Sequence, residues 1–189
     1  MKTQIFITIS FMILKSTLIF SKQDSSGIYL TANDYMAHKL SFSINCKTQK
    51  HKIRAEKIIH SKEITIKHGD STYTYPKDSV YAILNCGGSI TRIYNNSSYP
   101  LINPNEKIWV YRVYSRSGKI SYIKYFFSIN PKDKIQELTI YNLKNAFPEN
   151  HKFHDLVDIE FQGDDELMMY DNFHKIRKIN RVLQNSLNE

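Results

Sequence analysis

Between residues 27 and 130 the chain alternates apolar and polar positions in short runs, each stopped by turn-forming residues. That pattern constrains the fold more than anything else in the sequence. The runs are Ile28–Thr31, Leu40–Lys47, Glu63–His68, Thr72–Tyr75, Ser79–Cys86, Ser89–Tyr94, Lys107–Tyr114 and Lys119–Ile129. Turn chemistry separates most of them, at His68-Gly69-Asp70, Pro76-Lys77-Asp78, Cys86-Gly87-Gly88-Ser89, Asn103-Pro104-Asn105 and Arg116-Ser117-Gly118-Lys119. Period-two alternation puts one row of side chains on each face of a strand, and such punctuation joins strands as antiparallel hairpins. Eleven of the 13 Tyr fall in this region, which suits pleated, half-buried surface. Thr31–Lys39 interrupts it with a helical turn capped by Thr31, and residues 47–59 read as either an exposed loop or a twisted edge strand.

The periodicity changes after Pro131. Thr139 is an N-cap for a short helix through Phe147, with Pro148 as its stop. A second helix fits Asn150–Phe161, where Phe153, Leu156, Val157 and Phe161 form one stripe. A third is expected from Asp165 to Leu187, burying Met169, Phe173, Ile176, Ile179 and Leu183. The chain therefore reads as α+β: an antiparallel β meander or partly closed barrel of about seven or eight short strands, with C-terminal helices packed on it. Residues 22–189 are expected to form one domain, β-rich over 22–130 and helical over 131–189.

Residues 1–21 carry the layout of a secretory signal peptide. Met1-Lys2 is the charged start, Gln4–Leu14 the apolar core and Ser21 the small-residue exit. Lys15 interrupts the apolar run before it could span a bilayer, so no transmembrane span is expected in the mature chain. Export places the protein in the periplasm, the outer envelope or the extracellular space. Cys46 and Cys86 are the only cysteines of the sequence. In an oxidising compartment they read as a bridge, and otherwise as two buried thiols. Each ends one row of an alternating run: Leu40, Phe42, Ile44 and Cys46, and Val80, Ala82, Leu84 and Cys86.

Charge is divided along the chain. Residues 22–130 hold 16 Lys and Arg against 7 Asp and Glu, and residues 131–189 hold 8 against 11. Within the basic part, Lys47, Lys50, Lys52, Arg54 and Lys57 lie close together with His51 among them. Clustered cations attract phosphate, sulfate or uronate groups, and the attraction falls steeply with salt. Their other reading is a solvated loop. This set is the candidate site for an anionic partner. Trp109 and Tyr111 share a row with Val113, which reads as core before it reads as a sugar platform. Ile108, Val110 and Tyr114 take the other row, as in a strand covered on both faces.

Catalytic patterns are thin. His151, His154 and Asp158 fall together on one side of the second helix and are candidate metal ligands, although their spacing is not that of H-E-x-x-H. There is no G-x-S-x-G, and Ser117-Gly118-Lys119 lacks the upstream glycine of a phosphate loop. No cofactor is called for.

Two stretches carry a resemblance: Ser26–Tyr35 (SGIYLTANDY) and Leu138–Leu183, which opens LTIYNLKNAF and closes HKIRKINRVL. They resemble a group of uncharacterised, signal-peptide-bearing secreted proteins of Bacteroidetes-type bacteria. The resemblance implies an exported bacterial protein and brings no activity or site residue with it. The functional expectation is a non-catalytic envelope or extracellular binding module. Its partner would be an anionic polysaccharide, a lipid surface or another envelope protein, and specific nucleic-acid binding is not expected. The alternatives are a metal-dependent or other hydrolase using His151, His154 and Asp158, and a small apolar-ligand carrier.

Overall fold

The computed structural model describes residues 24–55 and 62–187. The expected export segment, residues 1–21, lies outside them, as does Lys57. The described chain enters as β1 (Ser25–Tyr29), makes a short helix α1 (Ala32–Met36) and returns as β2 (Ser41–Asn45). Next come β3 (His51–Arg54), β4 (Glu63–His68) and β5 (Ser71–Pro76), a three-stranded sheet of their own. A meander follows: β6 (Ala82–Leu84), β7 (Ile90–Tyr94), β8 (Ser97–Leu101), β9 (Trp109–Ser117), β10 (Ile120–Ser128) and the short β11 (Gln136–Glu137). The C-terminal part is α2 (Ile140–Asn145), α3 (His151–Glu160), the two-residue strands β12 (Tyr170–Asp171) and β13 (Ile176–Arg177), and α4 (Lys178–Leu187).

Eight strands form one antiparallel sheet in the order β11-β10-β9-β8-β7-β6-β1-β2. It is a meander with β1 and β2 added beyond β6, and its two edges do not meet, so no barrel closes. Local chemistry sets the hairpins. Asn95 and Asn96 link β7 to β8 with φ of 48° and 59°, the two left-handed residues that the tightest hairpin turn needs. Gly118, at φ 59°, does the corresponding work between β9 and β10.

Both faces of the sheet are covered. On one face, Ile108, Val110 and Phe127 pack with Leu143, Phe153, Val157, Ile179 and Leu183 of the helices. Farther along the same face, Ile28, Ile83 and Ile93 meet Ile64 and Ile66 of the small sheet. Each such side chain, fully buried, contributes about 1.5–3 kcal/mol. The opposite face is aromatic. Tyr35 of α1 sits with its ring 5.2 Å from that of Tyr29, 5.6 Å from Tyr81 and 5.5 Å from Trp109. Burial pushes the Tyr35 phenol up to about 12, with Tyr29 and Tyr111 adding to the effect. Tyr111 is thus core and Trp109 half-buried against it, as their row suggested. On the other row Ile108 and Val110 are buried, but Tyr114, expected to be covered with them, is 68% exposed, because β9 runs on past the helices.

The caps expected at Thr31 and Thr139 are in place, and Asn150, expected inside the second helix, caps it instead. Thr31 and Asp34 form a reciprocal capping box on α1, and Thr139 and Asn150 accept backbone N–H bonds at the starts of α2 and α3. The disulfide is formed: Cys46 and Cys86 lie 5.7 Å apart between Cα atoms and join the ends of β2 and β6 across the start of β1.

Some expectations fail for local reasons. Val80 does not share a face with Ala82 and Leu84: it follows a 3-10 turn at Lys77–Ser79 and packs with Ile28 and Ile64, whereas Ala82 and Leu84 pack with Tyr29. Leu40 and Phe42 do not share a face: Leu40 packs with Tyr29 and Leu84, whereas Phe42 packs with Ile28 and Ile64. A bulge divides them. The register runs Ser26↔Ile44 and then Ile28↔Ser41, and Phe42 takes φ 52°. Nor does a single helix fill Asp165–Leu187. Residues Asp164–Met168 form a 3-10 turn, a hairpin follows, and α4 begins at Lys178. The Asp171 carboxylate is the cause. It accepts the N–H groups of Phe173 at 2.9 Å and His174 at 3.0 Å, the His174 ring at 2.8 Å and Arg181 at 2.8 Å. These bonds hold the Asp171 carboxyl well below its ordinary range, the His174 N–H first, and they reward a turn over a helix. Phe173, expected inside, is 88% exposed at the hairpin tip.

Two asparagines complete the fold where β9 begins. Asn103 accepts the Val110 N–H at 2.6 Å and donates to the Ile108 carbonyl at 2.8 Å. Asn180 of α4 accepts the Ile108 N–H at 2.7 Å and donates to the Glu106 carboxylate at 2.7 Å. Side-chain amides thus satisfy strand groups that no neighbouring strand reaches, and they tie α4 to the sheet.

Candidate anion-binding face

The small sheet β3–β5 presents two unlike rows. Alternation sends Ile53, Ile64, Ile66 and Tyr75 inward onto the main sheet. The same alternation sends Lys52, Arg54, Thr65, Lys67 and Thr72 outward, where they line a shallow hollow of about 210 Å³. The register brings the cations together. Lys52 stands directly across from Lys67, Arg54 across from Thr65, and Lys67 across from Thr72. Lys52, Arg54 and Lys67 are exposed, and Thr65 lies among them on the central strand, only 9% exposed.

Like charges placed directly across a strand pair repel and weaken the pairing. Two lysines and an arginine around threonine hydroxyls therefore give charge and hydrogen-bond donors suited to an oxyanion, which would relieve the repulsion. Glu63 begins the outward row of β4 and is engaged in an interaction of its own. Beneath, His51 and His68 form a cross-strand pair with rings 6.2 Å apart, and the His51 Nε2 lies 2.6 Å from the Ser26 hydroxyl. Burial first, and then the charge of His68, hold the His51 imidazole below its ordinary range. The inward row thus favours a neutral ring beneath an outward row of fixed cations.

Of the cations expected to act together, the structure collects Lys52 and Arg54 and adds Lys67. Lys47 is bound elsewhere, in an ion pair with Asp24 at 2.6 Å. Lys50 is exposed just ahead of β3 and outside the hollow. Residues 47–59 had two readings, and their described part holds a strand at His51–Arg54 at the edge of the small sheet. Lys67 escaped notice because its partner lies fifteen residues back in the sequence and register is a tertiary property. A signal was present: Glu63–His68 alternates, and Lys67 falls on its outward row with Thr65.

The second candidate set is spread over other tasks. The His154 Nε2 lies 2.9 Å from the Phe147 carbonyl and 3.1 Å from that of Lys144, closing the end of α2. Asp158 is paired with Lys144. The His151 ring is exposed and stands edge-on to His154 at 6.0 Å. Among the described residues, no three His, Cys, Asp or Glu side chains converge where a metal ion could be held. No helix there is long and apolar enough to cross a membrane. Compared with known protein families, curated proteins and solved structures, the chain matches none.

Proposed function

We propose that this chain is an exported, non-catalytic binding module that holds an anionic polysaccharide on the outward face of β3–β5. The observation that carries the reading is the direct opposition of Lys52 and Lys67 with Arg54 beside them, on paired strands rather than a loop. Sulfate or uronate groups repeating along a chain would neutralise this row, and the Thr65 and Thr72 hydroxyls supply further hydrogen bonds. Export is supported by the pattern of residues 1–21 and by the Cys46–Cys86 disulfide, which suits an oxidising compartment.

The test is retention on immobilised dextran sulfate and on immobilised polygalacturonate, eluted with a salt gradient. The wild-type protein is expected to be retained and to elute as salt passes roughly 0.15 M, where the Debye length is about 8 Å. The triple variant Lys52→Gln, Arg54→Gln, Lys67→Gln is expected to flow through. A control, Arg116→Gln with Lys119→Gln at the β9–β10 turn, keeps retention while lowering net charge. Equal loss in both variants would show that net charge, not this face, does the binding. Preference for anionic lipid vesicles over either polymer would replace the polysaccharide with a membrane surface.

A further inference from the structure

Arg92 is 4% exposed, in the middle of the aromatic face of the main sheet, and among the described residues it has no carboxylate partner. Its contacts are all neutral. Nη1 donates to the Tyr111 hydroxyl and the Ser128 hydroxyl, both at 3.2 Å, and Nη2 donates to the Asp133 carbonyl at 2.6 Å. The guanidinium lies 5.1 Å from the centre of the Tyr81 ring and 5.7 Å from that of Tyr94. Nε is buried with no acceptor. A guanidinium carries five N–H donors, so this one is charged, largely dehydrated and incompletely satisfied. Burying a charge in that state is costly unless an anion completes it.

The surroundings supply a place for one. Arg92 lines an open hollow of about 350 Å³ with Tyr81, Pro131, Lys132, Thr31 and Asn33. Lys132 is exposed at its rim and adds a second positive charge. The acids of the two framing segments are turned to other tasks. Asp34 accepts the N–H and hydroxyl of Thr31, and Asp133 accepts the Asn130 amide at 2.6 Å. The hollow therefore has a cationic floor and rim, with the Tyr81 ring and Pro131 as walls.

We propose that this hollow binds a small carboxylate with an apolar body, its oxygens directed at Arg92 and Lys132 and its body against Tyr81 and Pro131. Both Nη groups already donate within the fold and Nε is buried, so Arg92 acts on the carboxylate by its charge and the remaining Nη2 proton, while the ring walls favour an apolar substituent over a hydrated one. The site is independent of the polysaccharide face, which belongs to the small sheet on the other side of the main sheet.

The experiment uses the full chain and follows thermal unfolding and amide chemical shifts at constant ionic strength with sodium benzoate, sodium acetate, sodium phosphate and sodium chloride. Benzoate is expected to raise the unfolding temperature saturably above the chloride control. Shifts should centre on residues 31–33, 81, 92 and 130–133, with acetate weaker. Lys132→Glu, an exposed change, is expected to weaken benzoate binding about ten-fold while leaving unfolding without ligand unaltered. Arg92→Met is expected to abolish binding. Should that variant fail to fold, Lys132→Glu decides the matter. Benzoate no better than chloride, unchanged affinity in Lys132→Glu, or phosphate bound in preference to benzoate would each overturn the assignment.

Discussion

At the residue scale, Gly27 is held in close contact with Leu40 and Ser41 of the neighbouring strand. A Cβ on Gly27 would lie 2.8 Å from the Ser41 carbonyl oxygen and 3.3 Å from the Leu40 Cβ. Both neighbours are held by the bulge that sends Leu40 and Phe42 to opposite faces of the sheet. Gly27→Ala is therefore expected to cost about 2 kcal/mol or more in urea unfolding, by forcing β1 and β2 apart. A loss under about 0.5 kcal/mol would mean that the bulge yields easily. His51 gives a second test at this scale. The fold lowers its pKa, so the unfolded chain binds the proton more tightly. The stability due to the neutral ring is full above the unfolded value, near 6.5, and is lost as pH falls through the lower folded value. The urea midpoint of the wild-type protein is expected to drop between roughly pH 7 and pH 5, and His51→Gln should flatten that drop. An identical slope in the variant would remove His51 as its source.

The disulfide matters most among the elements. It closes a loop with a sequence separation of 40 residues and fixes β2 and β6 on either side of β1. Cross-linking a loop of that length stabilises a fold by about 3–4 kcal/mol, so reduction or a Cys86→Ser change should lower unfolding stability by that order. Thiol titration of the denatured, unreduced protein should find almost no free sulfhydryl, and two titratable thiols would refute the bridge. The elements also show what could be read from the sequence. Glu63–His68 and the caps at Thr31 and Thr139 were legible because alternation and capping are local. β8 was not: its Ser-Ser-Tyr-Pro-Leu run does not alternate in hydropathy, and its place depends on the Asn95-Asn96 turn. The C-terminal helix is shorter than its sequence implies because 3.6-residue spacing over Met169–Leu183 mimics a stripe. The bonds that Asp171 makes, which break that helix, appear only in three dimensions.

For the whole molecule, two layers share one open sheet. Helices and the small sheet cover one face, and α1 with the loop after β10 covers the other. The candidate face was half legible. Lys52 and Arg54 stood out as charge, but their assembly with Lys67 depends on the register of β3 against β4. Lys47, counted with them by proximity in sequence, is bound to Asp24 instead. The buried Arg92 could not be read at all, since an isolated Arg in an alternating strand gives no sign of pointing inward. The most direct test of the central claim is the salt dependence of dextran sulfate affinity, measured by titration for wild type and for the Lys52→Gln, Arg54→Gln, Lys67→Gln variant. The account predicts that log affinity falls linearly with log salt for the wild type. In the variant, binding is weaker and any residual slope is shallower, with fold stability unchanged or slightly raised as the Lys52–Lys67 repulsion disappears. Salt-independent binding, or the same affinity and slope in the variant, would contradict it.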